Sequence, residues 1–203
     1  RKPEYRLFFT PQPKRWTWIR RIAPHTNYSG FYGFDGQLQS SSMHLHPFEI
    51  QPKQGGRFGT YVDRTQDRPL TPFTVFNANG NRVVIQPGLY TWYQLVNEYL
   101  ADPSARLSGT VRHRVGKFYD GDFQGLELLA NLRVGTRFLG SAGWTRQAAD
   151  FTYGTFTSDL VPVKASYSFT TLASIQALVQ YNNQTSLLSS NVRLALLDRS
   201  GTG

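Results

Sequence analysis

The chain has 203 residues, a formal net charge of +9 and no cysteine, so disulfide and thiol chemistry are excluded. Charged residues make up 17% and aromatics 14%, and no stretch approaches the roughly 20 unbroken apolar residues of a membrane helix. The length suits one sizeable domain or a piece of a larger one, and the basic surplus raises nucleic acid or an anionic surface as a partner class. No initiator Met, signal peptide or lipidation signal opens the sequence, which reads as a segment starting inside a longer precursor and incomplete at both ends.

Period-two alternation predicts strands over 4–10, 15–34 with a break near Pro24, and 37–52. The early runs "RKP" and "KRWTWIRR" interleave basic and aromatic residues, which is a nucleic-acid footprint in a soluble protein. "MHLHPFE" follows. His44 and His46 share one strand face, where two imidazoles can hold a metal. Glu49 is an odd number of residues away and is expected on the other face. No third His or carboxylate stands at a suggestive spacing, so no metal is assigned and both imidazoles are expected to be wet or hydrogen-bonded.

Strands are predicted over 56–68 and 88–101, with Arg68–Pro87 as a long loop between them. "YTWYQLVNEYLAD" is the nearest approach to an amphipathic helix, but its aromatics favour strand. Strands 106–119 and 122–134 meet at Asp120-Gly121, read as a two-residue hairpin turn. That turn sets Val115 against Leu126, Val111 against Ala130 and Leu107 against Val134, all apolar. It sets Arg114 against Glu127, Thr110 against Asn131 and Ser108 against Arg133, all polar. Strands 137–147, 158–170, 172–183 and 187–197 complete the set, with "QAADFTYGTF" read as a loop. In the hairpin of 158–183, Val161, Val163, Ala165, Tyr167 and Phe169 face Tyr181, Val179, Ala177, Ile175 and Ala173.

This makes about eleven strands, mostly far longer than the usual 5–6 residues and able to cross an apolar band of roughly 25 Å. The connections at one end ("PQPK", "KQGG", "DPSA", "VGTR", "FTTL") are short, and the longer ones collect at the other, as in transmembrane β-barrels. Aromatics near strand ends suggest interfacial girdles: Trp16, Trp18, Phe138 and Phe169 toward the short turns, Tyr119 and Tyr181 toward the opposite end. Arg112, Arg114, Glu127, Arg133, Lys164 and Arg193 are expected on a water-facing side. An odd strand count and the turn-like end "LLDRSGTG" predict that the chain does not close a barrel alone. No phosphate loop, nucleophile elbow or carboxylate pair is visible, so no catalytic residue and no cofactor is assigned.

The runs "GGRFGTYVDRTQDRPLTPF", "VVIQPGLY", "ARLSGTVRHRVGKFYDGDF" and "FTSDLVPVKASYSFTTLASIQALVQYNNQTSLLSSNVRL" resemble one family from about Trp16 onward. "FYDGDF" and "ALVQYNNQT…SSN" are the most specific parts. The family is catalogued as bacterial domain of unknown function 5916, and the similarity is to its C-terminal outer-membrane barrel region. The resemblance implies a Gram-negative outer-membrane location and no defined reaction. Family members carry an N-terminal module like carbohydrate-binding module family nine; that module is not among these residues, and any glycan link would run through it.

The expectation is therefore an all-β, antiparallel up-and-down transmembrane barrel segment in the bacterial outer membrane. It would act as anchor, pore or subunit of a surface assembly and not as an enzyme. Its partners would be the lipid bilayer and other outer-membrane, surface or periplasmic modules. A soluble basic β-domain that binds nucleic acid is the alternative.

Overall fold

The alternating residues do form strands. In the computed structural model, which describes residues 2–78 and 80–197, strand covers most of the chain and no helix occurs among the described residues. The strands are β1 (Glu4–Phe8), β2 (Ile19–Ile22), β3 (His25–Tyr32), β4 (Leu38–Pro52), β5 (Arg57–Asp67), β6 (Phe73–Ala78), β7 (Asn81–Ile85), β8 (Tyr90–Leu100), β9 (Leu107–Phe118), β10 (Gly121–Val134), β11 (Phe138–Phe151), β12 (Gly154–Ser168), β13 (Ala173–Asn182) and β14 (Leu187–Leu196). Pro24 separates β2 from β3, since it lacks the N–H a ladder needs.

One antiparallel sheet runs in the order β1-β3-β4-β5-β8-β9-β10-β11-β12-β13-β14, with β2 paired to the end of β4. Apart from the displaced β2 and the β6–β7 insertion, chain neighbours are sheet neighbours, so the topology is up-and-down. Among the described residues β1 and β14 do not pair, and the sheet is open. Arg1 and the end of "LLDRSGTG" from Asp198 onward lie outside the described residues.

The β9–β10 hairpin is turned two residues away from the expected register. Phe118 pairs with Gly121, so the turn is Tyr119-Asp120, with Tyr119 itself left-handed at φ 54°. Gly121 lies within the strand for a different reason: the Phe151 ring occupies the space a Cβ would take. A two-residue shift keeps each face intact. Val111 now meets Leu128 and Leu107 meets Leu132, while Arg112, not Arg114, stands opposite Glu127. The β12–β13 register is the expected one, with Val163 opposite Val179 and Ala165 opposite Ala177.

Two expected loops are strand. Within Arg68–Pro87, β6 and β7 form a separate hairpin. "QAADFTYGTF" contains only the short turn Thr152-Tyr153, because β11 runs to Phe151 and β12 starts at Gly154. Within it Ala148 and Asp150 face outward, while Gln147, Ala149 and Phe151 face inward. The β6–β7 hairpin covers that inner side. Phe76, Val83 and Ile85 pack with Phe123, Ala149 and Phe151 into the main apolar core, against Phe156 and Tyr119. The face that carries this core is called the inner face below.

The outer face is the reverse. Leu7 on β1, Phe48 on β4, Val111 on β9 and Val192 and Leu194 on β14 stand exposed at 46–70%. Few soluble monomers leave so much apolar surface uncovered.

Candidate functional site

The inner face opposite the hairpin cover is polar, and a bulge in β4 builds its centre. The β4–β5 register shifts between Leu45↔Val62 and Phe48↔Thr60, so His46 and Pro47 together oppose Tyr61. Pro47 has no ladder N–H, and bulges accommodate such a residue. The extra residue reverses the alternation. Glu49 therefore shares the inner face with His44 and His46, which corrects the expectation that it points the other way.

β3 supplies the third imidazole that the spacing along β4 did not reveal. Its register sets His25 opposite His46 and Asn27 opposite His44. The three rings sit with centroids 4.8–5.4 Å apart, beside the Tyr61 ring. His25 Nδ1 donates to the Ala23 carbonyl at 2.9 Å. His44 Nδ1 donates to Asp63 Oδ1 at 2.7 Å. These two bonds fix the tautomers and leave Nε2 as the free electron pair of each ring. His46 is buried, with Nδ1 3.7 Å from Glu49 Oε2. Its Nε2 has no hydrogen-bond partner and lies over Gly59, in the space a Cβ would fill.

Glu49 is also buried. Its Oε1 accepts from Gln51 Nε2 at 2.6 Å, and Gln51 Oε1 accepts from Arg20 and Arg21, each at 2.9 Å. Two arginines of "KRWTWIRR" are thus committed to holding a side-chain amide. Among the described residues no Arg or Lys pairs with Glu49, and its nearest basic groups are the imidazoles of His25 and His46, each at 3.7 Å.

An ion ladder continues across the same face. Glu98 is buried and accepts from Arg57 at 2.5 Å and from Arg112 Nε at 2.7 Å. Arg112 Nη1 also donates to Glu127 Oε2 at 2.7 Å. Arg114 lies on this face opposite Gly125, so the expected Arg114–Glu127 pair is replaced by Arg112–Glu127. Arg133, Lys164 and Arg193 share the face through the registers of β10–β14 and have no acidic partner among the described residues. Arg133 and Lys164 border a groove of about 320 Å³ that is lined also by Ser141, Ser166 and Gln176.

The aromatic residues divide between the two faces. Trp16 and Trp18 are exposed beside the 53–56 turn, where the Trp18 carbonyl accepts from Lys53 N–H at 2.9 Å. Phe138 opens β11 at the short-turn end, and Phe169 follows β12 there with its ring edge against Tyr167. Tyr181 is exposed on the outer face at the opposite end. Tyr119 is not an outward girdle residue. Its ring packs on Trp92 at 4.6 Å and Tyr90 at 5.1 Å, and its hydroxyl donates to Asp67 at 2.7 Å. Burial, then the bond to the Asp67 carboxylate, raises its pKa above the ordinary 10.0. Tyr153 behaves likewise, through burial and its 2.7 Å bond to Asp120.

Comparison with protein-family models, with curated proteins and with solved structures finds no match.

Proposed function

We propose that this chain forms wall of a bacterial outer-membrane β-barrel, of the kind found in the C-terminal region of the family it resembles. It serves as anchor, pore or structural subunit for a surface or periplasmic module, without catalysis of its own. The observation that carries the proposal is the banding of the outer face. On β9–β12 that face presents Val111, Leu128, Ala142 and Val163 along the middle of the strands. Toward the Tyr119 end it changes to ions: Lys117 pairs with Asp122 at 2.7 Å and Arg146 with Asp159 at 3.8 Å. Trp144 sits on the border and donates its indole N–H to Asp159 at 2.9 Å. An apolar band edged by an amphipathic ring and then charge is what a lipid interface selects.

The inner face suits a water-filled or plugged interior. Its cations Arg57, Arg112, Arg114, Arg133, Lys164 and Arg193 exceed its acids Glu49, Asp63, Asp67, Glu98 and Glu127, and the surplus lies at the Arg133–Lys164–Arg193 end, so an open lumen would favour anions there. The β6–β7 hairpin would lie across that interior at one end.

The test is refolding of the full chain from urea in the presence and absence of phosphatidylcholine vesicles. The proposal expects insertion that resists alkaline carbonate extraction and protects the β9–β12 strands from protease. A chain that folds without lipid, leaves the vesicles in salt and shifts DNA or RNA would overturn it in favour of a soluble nucleic-acid-binding domain.

A further inference from the structure

We propose that His25, His44 and His46, with Glu49 behind two of the rings as a compensating charge, form a binding site for a divalent transition-metal ion of the zinc class. Four independent observations converge. One ring nitrogen from each histidine lies within 4.8 Å of the others. Tetrahedral bonds of about 2.0–2.1 Å set ligand nitrogens roughly 3.4 Å apart, so the three rings would close inward on the ion by up to about 1.4 Å.

The surroundings are those of ligating histidines. A metal-bound imidazole gives its other N–H to a carboxylate or a backbone carbonyl, which sets tautomer and orientation. His44 does so with Asp63 and His25 with the Ala23 carbonyl. Both rings thereby present Nε2 as the free ligand atom.

The remaining two observations concern unmet demand. His46 Nε2 is buried and has no partner. Glu49 is a buried carboxylate with no Arg or Lys within ion-pair distance among the described residues. Buried charges are paired or coordinate metals. A divalent cation held by the three rings would offset that charge from across the imidazoles, whose Nδ1 edges face Glu49 Oε2 at 3.7 Å in His25 and His46, and it would clamp β3 to β4 where the bulge interrupts the ladder. Three imidazoles favour zinc, copper, nickel or cobalt over the hard ions calcium and magnesium. The inference does not depend on the membrane reading, since the site is built within the sheet.

The experiment uses the full chain, folded and stripped of metal, titrated with Co²⁺ as a spectroscopic probe and then with Zn²⁺ in competition. The expected result is one equivalent of Co²⁺ with an intense tetrahedral visible band, displaced by Zn²⁺. His25→Gln and His44→Gln should each weaken binding at least tenfold. Asp63→Asn should weaken it about 10- to 100-fold with the band shape kept, because it only positions His44. His113→Gln, on the outer face, should change nothing. A second measurement needs no variant: diethyl pyrocarbonate labelling of the wild-type chain, in which Zn²⁺ should protect His25 and His44 but not His113. No saturable binding at equimolar metal, binding indifferent to His25→Gln and His44→Gln, or equal labelling with and without Zn²⁺ would each overturn the proposal.

Discussion

His46 and Glu49 are three residues apart on one strand and yet face the same side, with Nδ1 3.7 Å from Oε2. The bulge at His46-Pro47 makes this possible, because one unpaired residue turns an odd spacing into an even one. Deleting Pro47 removes the extra residue and leaves Glu49 two positions after His46, still inward. Inserting an alanine after Pro47 instead turns Glu49 outward and Phe48 and Ile50 inward. The insertion should lower the urea midpoint and abolish the folded band on unheated gels, whereas the deletion, which keeps the facing, should retain both. Equal behaviour of the two variants would show that the residue count at the bulge does not set the facing of Glu49.

Glu98 and Glu127 flank Arg112 but differ in burial. Glu98→Gln removes the charge shared by two arginines at a buried position, and breaking such a pair costs about 3–5 kcal/mol. Glu127 is partly exposed, and Glu127→Gln should cost about 0.2–1 kcal/mol. Urea denaturation in detergent micelles would measure both. A larger loss from Glu127→Gln would contradict the ladder described here.

Tyr119 and Tyr153 hold their protons more tightly when folded than the ordinary 10.0. Their contribution to stability is complete below pH of about 10 and is lost as pH rises through the folded values. Phenolate absorbance should show two late-titrating groups that vanish in Tyr119→Phe/Tyr153→Phe. The stability gap between wild type and that variant should narrow above pH 10. A gap that widens with alkali would reverse the sign argued here.

Much of the fold was legible because strand periodicity and sheet facing share one cause, the two-residue repeat of the backbone. The β12–β13 register followed from apolar pairing alone. The β9–β10 register did not, because Asp120-Gly121 looks like a turn pair while Tyr119 takes the left-handed position and Gly121 makes room for Phe151. The β6–β7 hairpin was hidden because it pairs only with itself and its rings are met by residues distant in sequence. For the histidine cluster a signal was present. A proline inside a strand pattern marks a bulge, and a two-residue turn at Asp35-Gly36 sets His25 opposite His46, the register the body of that hairpin has. Glu98 carried no comparable signal, since its burial depends on arginines from two neighbouring strands.

The central claim is that the outer face meets lipid and the inner face does not. Val111 and Thr110 are neighbours on β9, the first exposed on the outer face opposite Leu128 and the second on the inner face opposite Leu129. The decisive measurement is the fraction of chain inserted into vesicles for Val111→Arg and Thr110→Arg. An arginine at the bilayer midplane costs about 2–4 kcal/mol, so Val111→Arg should lose most of its insertion while Thr110→Arg inserts like the wild type. Equal insertion of the two variants, or loss confined to Thr110→Arg, would contradict the account.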